Sequence, residues 1–191
     1  MRISKEQAKA NHDRVVDAAS VLIRERGIEG AGVAEVMKAA GLTHGGFYNH
    51  FTSKEALTVE ALGQGFREMS EERAKASSLA VLLKGYLSEA ARRNPGKACP
   101  AAGLAGDVAR QPEAVKAEFA QGLDEIVGSL TARLVQERGL DPDAARERAV
   151  ALFTRMVGAT VLARAMPQTD PRGSEILSLA LRACLDEIEA G

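Results

Sequence analysis

Two cysteines, Cys99 and Cys184, are all that 191 residues contain. Two thiols cannot build the disulfide framework of a small secreted domain, so both are expected free in a reducing compartment. Tryptophan is absent and aromatic residues make up only 4%. No segment alternates apolar and polar residues at period two, and alanine is abundant, so the chain reads as all-helical. No apolar run is long enough to span a bilayer. The stretch Met1–Glu6 lacks the apolar segment of a leader. A cytoplasmic protein without a membrane partner is therefore expected.

Charge of one sign is missing too. Lys and Arg number 25 against 26 Asp and Glu, a net charge of −1. Residues 1–58 carry eight basic and seven acidic residues, and the remainder seventeen and nineteen. That basic excess is too small to imply nucleic acid by itself. Catalytic sets are also lacking. The three histidines, at 12, 44 and 50, form no recognised metal spacing with Cys99. No phosphate-binding glycine loop is present. His12-Asp13-Arg14 stands without any other kinase motif. The expectation is no enzyme, no cofactor and no metal.

What is present is a core and a strong local motif. Apolar residues make up 46% of the chain, ample for burial, and charged residues an ordinary 27%. From Asn11 to Arg26, Val15, Val16, Ala18, Ala19, Leu22 and Ile23 recur at helical spacing. Gly27 and Gly30 break the pattern. Val33, Val36, Met37 and Ala40 mark a shorter helix, and Gly41 can take the left-handed backbone that ends it. Thr43 can cap a third, very short helix holding little beyond His44–His50. Thr52 and Ser53 then open another at Lys54. Phe47 and Phe51, four apart, share one face and can pack beneath the turn. Two short helices around a glycine turn form a helix-turn-helix. A weak helix beginning with Gly45-Gly46 makes sense if that end must approach another surface closely, as a recognition helix does in the major groove.

Residues 12–60 resemble the DNA-binding domain of the TetR family of transcriptional regulators. The matching features are an amphipathic first helix ending at Gly, Ala39-Ala40-Gly41-Leu42-Thr43, Gly46-Phe47-Tyr48-Asn49-His50-Phe51 and Ser53-Lys54-Glu55-Ala56-Leu57. One departure is Gly32, where the family usually has Thr or Ser. The rest of the chain resembles the family in length and helical pattern. The resemblance implies a repressor that binds a near-palindromic double-stranded operator as a homodimer and releases it on binding a small-molecule effector. The alternative is a helical ligand-binding or interaction protein without DNA binding.

Candidate DNA contacts fall into two sets. Thr43, Tyr48, His50 and Lys54 can reach phosphates, Thr43 and Lys54 from helix N-termini that favour anions. The matching Tyr and Lys play this part in the family. The competing view makes Tyr48 half-buried core, Lys54 a solvated charge and His50 a packing group. His44, Gly45, Gly46 and Asn49 are the base-facing set, since Asn can pair an adenine edge and glycine admits a thymine methyl. The alternative is that His44 and Asn49 touch only backbone or water.

The body pattern continues from Lys54 to about Lys75, Ser77 to Arg93, about Pro100 to Arg110, Pro112 to Arg138, Pro142 to about Met166 and Pro171 to near Glu189. About nine helices result, divided into a DNA-binding head at residues 1–52 and a ligand-binding and dimerisation body at 53–191, with the Lys54 helix as the link. Phe66, Met69, Tyr86, Leu104, Phe119 and Leu123 fall on helices expected to surround an effector; plain core is the competing view of each. Cys99 precedes a helix start with Lys97 nearby, an arrangement that favours thiolate, and is a candidate thiol sensor. Otherwise it is a small packed thiol. The last two long helices carry surplus apolar residues. By the resemblance, Phe153, Met156, Val157, Thr160, Leu177, Leu181, Cys184 and Ile188 are assigned to a four-helix dimer interface. The alternative is that this surplus packs inside one subunit.

Overall fold

Ser4 opens the first helix, its hydroxyl accepting from the Gln7 N–H at 3.1 Å. In the computed structural model, which describes residues 4–189, α1 spans Lys5–Arg26. Residues 1–3, part of the stretch weighed above as a leader, and 190–191 lie outside the described residues. Helix α1 starts six residues before the expected Asn11. Lys5–Ala10 has no strong apolar stripe, so the cap rather than periodicity sets this end. Gly27, at φ +80°, closes it. Helix α2 spans Val33–Ala39 and ends at Gly41, φ +71°. The Leu42 N–H donates to Met37 O at 2.8 Å and that of Gly41 to Lys38 O at 3.0 Å, the paired closure of a glycine-terminated helix.

His44–Asn49 is a 3-10 helix rather than an α-helix. Six residues containing two glycines fit the tighter coil, which is used in short pieces. Helix α3, Lys54–Ala74, is capped by Ser53, whose hydroxyl accepts from Ala56 N–H at 3.0 Å. The single helix expected to run on to Arg93 is two: α4, Leu79–Tyr86, and α5, Glu89–Arg93. Leu87 leaves helical geometry, and Ser88 caps the restart by accepting from Ala91 N–H at 3.1 Å. A 3-10 turn at Pro95–Lys97 precedes α6, Pro100–Val108. Helices α7, Glu113–Arg138, α8, Pro142–Ala165, and α9, Pro171–Glu189, complete the body. Among the described residues no helix is long and apolar enough to cross a membrane.

The head core gathers Val15, Ala19 and Ile23 of α1, Val36 and Met37 of α2, and Phe47, Phe51 and Leu57, all buried. In the body α8 lies between α7 and α9, with Leu130, Leu134, Leu152, Met156, Leu177 and Cys184 inside. Helix α3 packs on both α1 and α7, where the Phe66 ring sits over Gly122. Arg92 is buried and closes the end of α8, donating to Ala163 O at 2.8 Å and Pro167 O at 3.0 Å. Cations suit the orphan carbonyls of a helix C-terminus.

The link between head and body is broader than α3. Helix α1 also packs on the Pro95–Lys97 turn and on α6. Arg24, buried in α1, pairs with Glu68 at 2.5 Å and reaches Ala98 O at 3.4 Å. The Ile28 N–H donates to the Asp107 carboxylate of α6 at 3.0 Å.

Candidate nucleic-acid interface and effector cavity

Buried aromatics fix the platform on which the candidate DNA contacts stand. Phe47 and Phe51 stack at 5.6 Å within the head core. On the other side of the 3-10 helix, Thr43, His44, Gly45, Tyr48 and Asn49 are exposed, and Gly46 is partly so. Tyr48 is 78% exposed, its ring edge-on to Phe47, so it is not core. A Cβ added at Gly45 would meet nothing within 4 Å, and one at Gly46 would make ordinary contacts with Met37 and Thr43. Neither has a positive φ. The fold of the head therefore does not require either glycine.

Lys54 stands at the start of α3, half exposed, with its ammonium 3.3 Å from the Glu29 carboxylate. Hydrogen bonds from Gln111 and then Lys54 hold that carboxyl below its usual range. His50 is half-buried between the surface and Phe51, and His12 stacks on Phe51 at 4.5 Å. His50 and Lys54 are thus the half-buried phosphate candidates, and Thr43 and Tyr48 the exposed ones. Sequence reasoning passed over Arg14, an exposed cation alongside the Gly41 turn that bonds Asn11 at 2.7 Å. On a helix, an exposed Arg gives no separate signal.

The body contains a cavity of about 620 Å³ between α3, α4, α5, α6 and α8. Of the six residues assigned to an effector, only Met69 and Tyr86 line it. Phe66, Leu104, Phe119 and Leu123 do not. Phe66 is held over Gly122 and edge-on to Phe119 at 5.7 Å, Leu104 is wholly buried core, and Phe119 and Leu123 pack against that core. Cys99 is in the cavity wall, immediately before α6, and 3% exposed. Arg73, Val81, Leu82 and Arg164 also line the cavity and were not foreseen. Burial, followed by the neighbouring Cys99, pushes the Tyr86 phenol well above its ordinary value. Desolvation lowers the Arg73 and Arg164 guanidiniums from theirs.

The residues assigned to a dimer interface are mostly spent within one subunit. Phe153, Met156, Thr160, Leu177, Cys184 and Ile188 are buried in the chain's own core, and Val157 and Leu181 are half-buried. Helical spacing reveals an apolar face without saying which neighbour covers it. Among the described residues of these two helices, the large apolar ones left exposed are Val150, Val161 and Leu162 on α8 and Leu179 on α9.

Comparison with known proteins agrees with this architecture. The family model described as bacterial regulatory proteins, tetR family, matches residues 15–61. A second, described as transcriptional regulator LmrA/YxaF-like, C-terminal domain, matches residues 76–171. An uncharacterised HTH-type transcriptional regulator of Mycobacterium tuberculosis is 29% identical over 168 residues, covering 83% of this chain and 87% of that one. The HTH-type transcriptional repressor KstR2 of Rhodococcus jostii is 40% identical over 52 residues, 27% of this chain and 25% of that one. A TetR transcriptional regulator of Chloroflexus aurantiacus superposes with a TM-score of 0.77 at 23% identity, covering 96% of each chain. The protein is a DNA-binding transcriptional regulator with an N-terminal helix-turn-helix head. It belongs to the TetR family.

Proposed function

We propose that this regulator is a cytoplasmic homodimeric repressor, released from a near-palindromic operator when a small molecule enters the body cavity. The head is residues 1–52 and the body 53–191. Thr43, Tyr48 and Lys54 hold phosphates, with His50 supporting them. His44, Gly45, Gly46 and Asn49 face the bases. One short recognition helix touches too few base pairs to specify a genomic site, so two heads are needed, about 34–36 Å apart.

The observation that carries release is the join between cavity and head. Ala98 lines the cavity, and its carbonyl accepts from Arg24 of the head. A ligand that displaces the 95–99 segment moves α1 directly, in addition to any tilt of α3. Effector and operator must then weaken each other by the same factor. Cys99 offers a second input, since an electrophile small enough to enter the cavity meets its thiol. The test is a mobility-shift assay on DNA upstream of the regulator's own gene, with candidate effectors and a mild electrophile added. Ligand-dependent release is expected. Equal release by the electrophile in Cys99→Ser removes Cys99 as a sensor, and no release by any effector or electrophile removes the switch.

The dimer is carried by the exposed stripe on α8 and α9 rather than by their buried faces. Val150, Val157 and Val161 recur along one side of α8 at helical spacing, beside Gly158, and Leu179 stands exposed on α9. Light scattering at micromolar protein should give a dimer, and Val161→Glu with Leu179→Glu a monomer. A monomeric wild type contradicts the assembly.

A further inference from the structure

Three buried side-chain polar atoms among the described residues lack a well-aligned hydrogen-bond partner: Arg73 Nε, Arg164 Nε and Tyr86 Oη, which has only the weak Cys99 thiol beside it. All three residues line the one cavity. A buried polar group without a partner is costly, and a buried charge more so. The other buried arginines are satisfied. Arg24 has Glu68, and Arg92 has Glu89 together with the carbonyls ending α8. Arg73 is only 7% exposed, yet among the described residues no carboxylate is in ion-pair contact with it, and Glu125 acts on it only from further off. Arg164 spends one N–H on Ala91 O at 2.8 Å and leaves Nε free. The wall carries four cations, Arg73, Lys75, Lys97 and Arg164, against one carboxylate, Glu72, which Lys75 already neutralises at 2.5 Å. The rest of the lining is largely apolar.

We propose that the cavity is built for an apolar organic acid, with Arg73, Arg164 and the Tyr86 hydroxyl receiving its single carboxylate and Met69, Val81 and Leu82 holding its body. The inference rests on the cavity being the effector site. A planar carboxylate matches guanidinium donors in number and direction. A monoanion supplies the missing countercharge, whereas a multiply charged phosphate would have to shed far more water against an apolar wall. The volume lies within the ordinary range for small-molecule sites. Lys75 and Lys97, both exposed, stand where they draw an anion towards the site. Both guanidiniums stand close enough to Tyr86 and Cys99 for their charges to act on them, so the donors converge on one region.

The test uses the full chain without DNA and two matched probes, decanoate and 4-phenylbutyrate, each against its primary amide, by titration calorimetry. At least one acid should bind wild type about tenfold or more tightly than its amide, one such factor being about 1.4 kcal/mol. Arg73→Met should abolish that preference, and Tyr86→Phe should weaken the acid several-fold. Arg164→Gln, at a less buried site, should cut the preference independently should Arg73→Met fold poorly. The ligand-free Arg73→Met variant should unfold at or above the wild-type midpoint, because a cation without a partner has been removed. Acids and amides binding alike, neither acid binding at millimolar concentration, or a lowered midpoint in ligand-free Arg73→Met would each overturn the proposal. Binding is read on free protein, so its failure leaves DNA binding intact, and failed operator release leaves this result standing.

Discussion

Changing Gly45 and Gly46 to alanine together should leave the protein slightly more stable than before and cripple its DNA binding. Both glycines have negative φ, one faces open space and the other has room for a methyl at ordinary contact distance. In a helix interior each Gly→Ala change gains about 0.5–1 kcal/mol. The six-residue 3-10 helix should return less, on the order of 1 kcal/mol for the pair. That is a rise of no more than about 2–4 °C for a chain of this size. In the proposed docking the two methyls would stand between the 3-10 helix and the base edges. Losing close approach there costs about 1–3 kcal/mol, the range of one mismatched base pair. The expected loss is therefore roughly five- to 150-fold in operator affinity. Thermal unfolding by circular dichroism gives the first quantity, and fluorescence anisotropy on labelled operator gives the second. Unchanged affinity would remove the close-approach reasoning. A fall in unfolding midpoint would show that the glycines serve the head's own packing.

Lys54→Ala should lower the salt slope of operator binding by about one unit with little stability change, since its pairing with Glu29 is exposed; Asn49→Ala should instead alter base preference, read on operator variants. Gly122→Ala should destabilise by about 1–3 kcal/mol, because its methyl falls inside the Phe66 ring, and Phe66→Leu should recover part of that loss in a double-mutant cycle of denaturant melts. Additive effects there would contradict the packing. Hydrogen bonds from Arg172 lower the Asp170 carboxyl to about 2. Its folded value lies below the unfolded one of about 3.9, so its contribution is complete above about pH 4 and is lost as pH falls towards 2. In melts across that window, Asp170→Asn should flatten the decline; an unchanged curve would dismiss the group.

The parts of the fold legible in the sequence were those set by neighbours along the chain. Gly41, Ser53, Gly139, Asp141 and Pro142 act within a few residues, so their helix ends followed from backbone chemistry. The break at Leu87 escaped because Ser88 is one serine among several, and only its bond to Ala91 marks it as a cap. The 3-10 form of His44–Asn49 escaped because a short glycine-containing run has no period to measure. The cavity was hardest to see. It is lined by residues from five helices and the segment before α6, and its most telling residue sits in Glu71-Glu72-Arg73-Ala74-Lys75, which reads as a solvated charge run. Apolarity is all that marks the interface candidates in the sequence, but inward and outward faces of α8 both carry apolar residues, and only packing separates Met156 from Val161.

The most direct test of the account is selection of bound duplexes from a random DNA library by the purified full-length protein. The account predicts enrichment of a near-palindrome with half-sites separated so that the two heads lie about 34–36 Å apart. It also predicts that Tyr48→Ala weakens binding to the selected duplex and that Asn49→Ala shifts the selected bases. No enrichment over the starting library, or enrichment of a single unpaired half-site, would contradict it.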